Sequence, residues 1–217
     1  MGLSLTKIEF VQAAELIFWD FDGVIKDSVT VKTQAFIKLF ASYGSHVAEQ
    51  VKSHHEANGG MSRFDKLPIY LRWAGEEPNE AQVKAFCERF SQLALDGVID
   101  APWVSGVEDY LRANRNQQTF VLVSATPQDE LEQILQALNL RRCFATVFGA
   151  PSCKKEAIRM TLEKSSIFPQ KCLMIGDARA DLEAAQANHV PFLLRRHDTN
   201  FGVFADYTGC SIRDFTE

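Results

Sequence analysis

Five short stretches of this chain carry almost no polar residue: Leu16-Ile17-Phe18-Trp19, Phe120-Val121-Leu122-Val123, Thr146-Val147-Phe148, Cys172-Leu173-Met174-Ile175 and Phe192-Leu193-Leu194. A strand with one wet face alternates polar and apolar side chains, whereas a strand covered on both faces reads as an unbroken apolar run. Helical patterns near 105–115, 128–138, 154–164 and 179–188 lie between the runs. In the second of these helices, Leu131, Ile134, Leu135 and Leu138 recur at the 3.6-residue spacing. Buried strands alternating with helices predict an α/β fold, a Rossmann-like parallel sheet covered by helices.

The alternation breaks once. Between Asp27 and about Trp103 there is no strand pattern, only helical patterns near 30–43, 47–56, 63–74 and 79–96. Val83, Phe86, Phe90, Leu93 and Ala94 supply one apolar face of this region. It therefore reads as an inserted all-helical domain. Residues 1–27 and 103–217 form the core and 28–102 the insert, with hinges at Asp27-Ser28-Val29 and Asp100-Ala101-Pro102. No internal repeat or low-complexity segment is present.

With 217 residues, 46% hydrophobic and 24% charged, the chain is long enough for a sizeable core and has the composition of a soluble globular protein. Its net charge of −5 lacks the basic field that binding to a phosphate backbone needs, so nucleic acid is not an expected partner. A small anionic substrate is not excluded, because a bound metal or a few cations can invert the sign inside one pocket. The five cysteines (Cys87, Cys143, Cys153, Cys172, Cys210) are odd in number and form no C-x-x-C pair. They read as reduced, mostly buried thiols of a cytoplasmic protein. Lys7, Glu9 and Glu15 interrupt the apolar residues of Met1–Glu15, so no signal peptide is expected there, and no apolar run reaches the length of about 18 residues that spans a membrane. Monomer and dimer both fit.

Four motifs lie just beyond apolar runs, where open parallel sheets bind ligands. In Asp20-Phe21-Asp22-Gly23-Val24, carboxylates at i and i+2 of an extended chain face one side while Phe21 faces the core. The same residues suit a plain turn. An EF-hand loop fails, because Ile25 would stand at its glycine position. Ser124-Ala125-Thr126-Pro127 offers a small hydroxyl beside backbone N–H groups, fit for an anionic oxygen, although Ser124 or Thr126 could equally cap the following helix. Lys154-Lys155 opens a helix, an end that disfavours cations, which points to a task for one of the two. In Gly176-Asp177-Ala178-Arg179-Ala180-Asp181, acids at i and i+4 share one side of a helix start, and Asp177 could cap that helix.

Together, DFDGVIKDS at 20–28, VLVSATP at 121–127, GAPSCKKEAI at 149–158 and GDARADLEAA at 176–185 resemble the haloacid dehalogenase (HAD) superfamily of phosphotransferases and phosphatases. The helical insert looks like that superfamily's C1-type cap. The resemblance implies that Asp20 is the nucleophile, forming an aspartyl phosphate, and that Asp22 handles the protons of the leaving group and the water. Ser124 and Ala125 would hold the phosphoryl oxygens and Lys154 would neutralise charge, with Lys155 as the other choice. Asp20, Asp177 and the Asp22 carbonyl would ligate Mg²⁺, with Asp181 a further acid on the metal side. Physical chemistry agrees: a carboxylate nucleophile needs a counter-charge to approach a phosphate dianion, and clustered acids without a His or Cys set suit a hard cation such as Mg²⁺.

The expected activity is Mg²⁺-dependent hydrolysis of a small phosphomonoester such as a sugar phosphate. Dehalogenases and phosphonoacetaldehyde hydrolases lack an acid at the Asp22 position. A sugar phosphomutase is the alternative, since Gly60-Met61-Ser62-Arg63 resembles the G-x-S-R stretch with which the β-phosphoglucomutase group grips a substrate phosphate. On that reading Arg63 binds substrate; on the plain one Ser62 caps the helix starting at Arg63. Against the mutase, Gly176-Asp177 stands where that group has E-D, and Lys32 where it has a hinge His. A silent binding protein on the same scaffold is the non-enzymatic alternative, and none of Asp20, Asp22, Lys154 or Asp177 is lost to favour it. His54-His55 lack a third metal ligand and are expected to line a helix face or cap pocket. Trp19, Trp73, Phe86 and Phe90 are expected to pack in the interior.

Overall fold

In the computed structural model, residues 7–216 are described; residues 1–6 of the expected core, which fall within the stretch read as lacking a signal peptide, and residue 217 lie outside them. Five of the strands follow the apolar runs: β1 (Leu16–Trp19), β2 (Thr119–Pro127), β3 (Thr146–Ala150), β4 (Cys172–Gly176) and β5 (Phe192–Arg195). A two-residue strand, β6 (Ser211–Ile212), extends the edge. All pair in parallel in the order β3-β2-β1-β4-β5-β6, so β1 is central and the chain winds outward from it in both directions.

Both faces of the sheet are covered, which is why the runs are unbroken. Ile17 and Trp19 of β1 join one apolar cluster with Leu173 and Ile175 of β4. Leu16 and Phe18 join a second cluster on the opposite face with Cys172 and Met174. Trp19 is fully buried and stacks on Phe215 at 5.3 Å. Helices α6 (Val107–Asn114), α7 (Gln128–Ala137), α8 (Lys154–Lys164) and α9 (Arg179–Ala187) connect the strands, and a short α1 (Lys7–Gln12) precedes β1. Neither α1 nor β6 is predicted from the sequence: α1 buries only Val11, and two residues are too few to show a period.

Between β1 and α6 run four α-helices, α2 (Val29–Phe40), α3 (Ser45–Ala57), α4 (Arg63–Trp73) and α5 (Glu80–Asp100), with no strand among them. The first begins at Val29 and the last ends at Asp100. Ser62 accepts from the Phe64 N–H and Asn79 from the Gln82 N–H, capping α4 and α5. Phe36, Phe40, Tyr70, Phe86 and Phe90 pack their interior. Among the described residues no helix is long and apolar enough to cross a membrane. All five cysteines are unpaired; Cys87, Cys143 and Cys172 are buried, while Cys153 and Cys210 are exposed.

Candidate active site

Asp20 is the first residue past β1, and its N–H donates to the Ile175 carbonyl of the neighbouring strand end. The backbone then turns sharply: Phe21 is fully buried as expected, and Gly23 takes φ +76°. A Cβ there would lie 2.2 Å from Asp177 Oδ2, so the position excludes any side chain. Lys154 is the first residue of α8, beyond β3. Its buried Nζ lies 2.8 Å from Asp20 Oδ1 and 2.5 Å from Asp181 Oδ1. Burial would lower its pKa, but the two carboxylates outweigh burial and hold it raised. Two buried acids thus offset the unfavourable helix N-terminus for this lysine. Lys155 faces the exterior.

Asp177 follows β4. Its Oδ2 lies 2.8 Å from His197 Nε2, and its carbonyl accepts from Asn200 Nδ2 at 3.0 Å. Asp177 does not cap α9. That part falls to Asp181, whose Oδ2 accepts the Ala178 N–H at 3.0 Å while Oδ1 takes Lys154. Burial raises all three carboxyls, Asp20 to about 7, with Lys154 opposing at each and His197 also at Asp177. Asp20, Asp177 and Asp181 each offer an oxygen within 4.8 Å of the others. Three buried acids sharing one lysine leave negative charge unanswered, and an all-oxygen donor set of this kind fits a hard divalent cation.

The Asp22 side chain has its own set of partners, separate from that trio. Ser28 Oγ donates to its Oδ1 at 2.7 Å, and Lys32 Nζ and Thr126 Oγ1 donate to its Oδ2 at 2.5 and 3.2 Å. Burial would raise this carboxyl, but Lys32 and the three hydrogen bonds together hold it below its ordinary value. Ser124 is buried and its Oγ accepts the Thr126 N–H at 3.1 Å. Neither hydroxyl caps α7, whose first turn receives no side-chain cap. The pairing of β2 with β3 shifts register between Val123 and Pro127, which takes this segment out of regular pairing and sets Ala125 on the cavity wall.

Arg63 lines the cavity with its charge already paired. Its guanidinium donates to Glu130 of α7 at 2.8 and 2.7 Å and to Ser91 at 2.7 Å, and it lies over Phe90. Burial would raise the Glu130 carboxyl, but Arg63, with Lys32 and Ser91, holds it below its ordinary value. Lys66 and His55 also reach the cavity from the insert, with Lys66 Nζ 2.9 Å from His55 Nδ1, while His54 bonds the Tyr70 hydroxyl. The cavity lies between the helical insert and the strand ends, lined by Asp20, Asp22 and Lys154 from the core and Phe36, His55 and Lys66 from the insert. The contacts of Thr126 and Lys32 with Asp22, and of His197 with Asp177, are not expected from the sequence; only the position of His197 just beyond β5 could have signalled it.

Residues 14–189 match the family described as haloacid dehalogenase-like hydrolase. The chain is 27% identical over 198 residues to Phosphoglycolate phosphatase 1 of Pseudomonas aeruginosa, spanning 86% of this chain and 71% of that one. It is 23% identical over 179 residues to the Phosphorylated carbohydrates phosphatase of Thermotoga maritima, spanning 80% and 81%. Two solved structures share its fold. CbbY of Rhodobacter sphaeroides in complex with xylulose-(1,5)bisphosphate has a TM-score of 0.75 and 14% identity over 94% of this chain and 96% of that one. The β-phosphoglucomutase of Clostridium difficile has a TM-score of 0.70 and 21% identity over 93% and 91%.

Proposed function

Because the chain belongs to the haloacid dehalogenase-like hydrolase family, we propose that it is a Mg²⁺-dependent phosphatase that takes the phosphoryl group of a small phosphorylated metabolite onto Asp20. The observation that carries this reading is Lys154 bridging Asp20 and Asp181 beside Asp177, with Asp20 just past β1, Lys154 opening α8, Asp177 just past β4 and Asp181 in the first turn of α9. Residues 28–102 act as the cap over residues 1–27 and 103–217. Its unpaired cysteines suit the cytoplasm.

Asp20 attacks phosphorus, the ester oxygen departs taking a proton from Asp22, and water then releases inorganic phosphate from the aspartyl phosphate, returning a proton to Asp22. Lys154 holds the nucleophile and offsets the charge on the phosphoryl oxygens, and Ser124 with the Ala125 N–H orients them. The donors around Asp22 favour its ionised form, the form that accepts a proton from the attacking water. Mg²⁺, held by Asp20, Asp177 and the Asp22 carbonyl with Asp181 beside them, would supply the positive charge that lets a carboxylate meet a phosphate dianion. Hydrolysis is preferred to phosphoryl relocation between sugar positions because Arg63, the expected second phosphate grip, is neutralised by Glu130.

The test is release of inorganic phosphate from a generic aryl phosphate with and without Mg²⁺. Release should require the metal and fall at least about 10³-fold in Asp20→Asn. Release that survives both changes refutes the assignment, and an isomerised product from hexose phosphates would favour the mutase.

A further inference from the structure

Four buried or half-buried cations face the cavity: Lys32, Arg63, Lys66 and Lys154. Lys32 pairs with Asp22, Arg63 with Glu130, and Lys154 with Asp20 and Asp181. Lys66 is 1% exposed, and among the described residues it ion-pairs with no carboxylate. Its hydrogen-bond partner is His55 Nδ1, and the acid acting on it from a distance is Asp22, already held by Lys32. A buried ammonium without a counter-charge costs several kcal/mol, so a fold that retains one is open to an anion at that place.

Counting donors identifies the ligand chemistry. As an ammonium Lys66 Nζ can only donate, so its 2.9 Å contact with His55 Nδ1 selects the tautomer carrying the ring proton on Nε2. Two ammonium hydrogens and the His55 Nε2–H remain, and both residues line the cavity. Such a cationic, donor-only set is matched by a group that only accepts and carries negative charge; a hydroxyl would leave the charge unanswered. The Phe36 ring, 4.8 Å from His55, and Phe90 furnish an apolar wall suited to a short carbon spacer.

We infer that Lys66 and His55 form a cap-borne receptor for a second anionic group on the substrate, a carboxylate or a phosphate at the end of the leaving group remote from the phosphoryl taken by Asp20. The inference rests on the phosphatase reading above and narrows its substrate class to doubly anionic monoesters. Burial, with Lys32 adding to it, pushes the free Lys66 ammonium down to about 7, as expected of a cation waiting for its partner.

The experiment compares kcat/KM for three esters differing only in the tail: propyl phosphate, 3-phosphooxypropanoate and propane-1,3-diyl bisphosphate. The protein should prefer one or both anionic tails by about 10- to 100-fold, the range of a charged hydrogen-bonded contact. The better of the two identifies which anion the receptor takes. In Lys66→Met the ratio of anionic to neutral tails should collapse to about 1, and Lys66→Arg should restore part of it. Calorimetric binding of 3-phosphonopropanoate against propylphosphonate reads the same preference without turnover. If no ester is hydrolysed, the phosphatase reading fails while the phosphonates still decide the receptor. Equal treatment of all tails, or a preference that persists in Lys66→Met, overturns the inference.

Discussion

Replacing Glu130 by Ala should destabilise the protein severely, although Glu130 lies on α7 outside every expected catalytic block. The side chains of Arg63 and Glu130 are 4% and 7% exposed, and two guanidinium nitrogens reach the two carboxylate oxygens. Ser91 Oγ donates to Glu130 Oε2 at 2.6 Å and accepts from Arg63. After Glu130→Ala the guanidinium keeps only Ser91 and the face of Phe90, with its charge buried and unpaired. Breaking a buried pair from one side costs about 3–5 kcal/mol, and the retained contacts place this case near about 3 kcal/mol. For a chain of this length that is a fall of about 6–12 °C in Tm. The Glu130 carboxyl is held below its ordinary value, so its contribution is present at neutral pH and is lost as pH falls through the folded pKa; the deficit should shrink in acid. The paired change Arg63→Met with Glu130→Leu removes both charges together and should recover most of the loss. Urea unfolding followed by circular dichroism, alongside thermal melts, measures all three proteins. A loss below about 1 kcal/mol in the single variant, or a double variant no better than the single one, refutes the reasoning.

Lys66→Met should instead stabilise the protein. The free lysine lies near 7 against an ordinary 10.5, a gap that sets a ceiling of about 5 kcal/mol, and the lost bond to His55 brings the expected gain to about 2 kcal/mol. Because the folded pKa is the lower one, the cost is fully present below about 7 and fades as pH rises toward the unfolded value. The advantage of the variant in denaturant melts should therefore be largest near neutrality and vanish in strong alkali.

Much of this molecule is legible in its sequence for identifiable reasons. Runs such as Leu16–Trp19 and Cys172–Gly176 are buried on both faces, so composition alone marks them as strands. Asp20 and Asp177 follow strands directly, Lys154 opens the helix just beyond β3, and the parallel winding brings those ends together. What stays hidden depends on packing over long separations. Nothing near Arg63 announces Glu130, 67 positions away, so a local G-x-S-R pattern points to a phosphate grip where the fold forms an ion pair. His197 is a lone histidine until Asp177 is placed 2.8 Å from it. Lys66 is one more lysine in a helical pattern, and its burial without a carboxylate emerges only once Phe36 and His55 close around it.

The account turns on a phosphoryl group passing through Asp20. Acid quenching during turnover with Mg²⁺, followed by borohydride reduction and peptide mass spectrometry, converts a phosphorylated carboxylate to the alcohol and reports its position. The account predicts reduction at position 20 alone, dependent on substrate. Reduction at another acid, or continued phosphate release with no trapped residue at any time point, would contradict it.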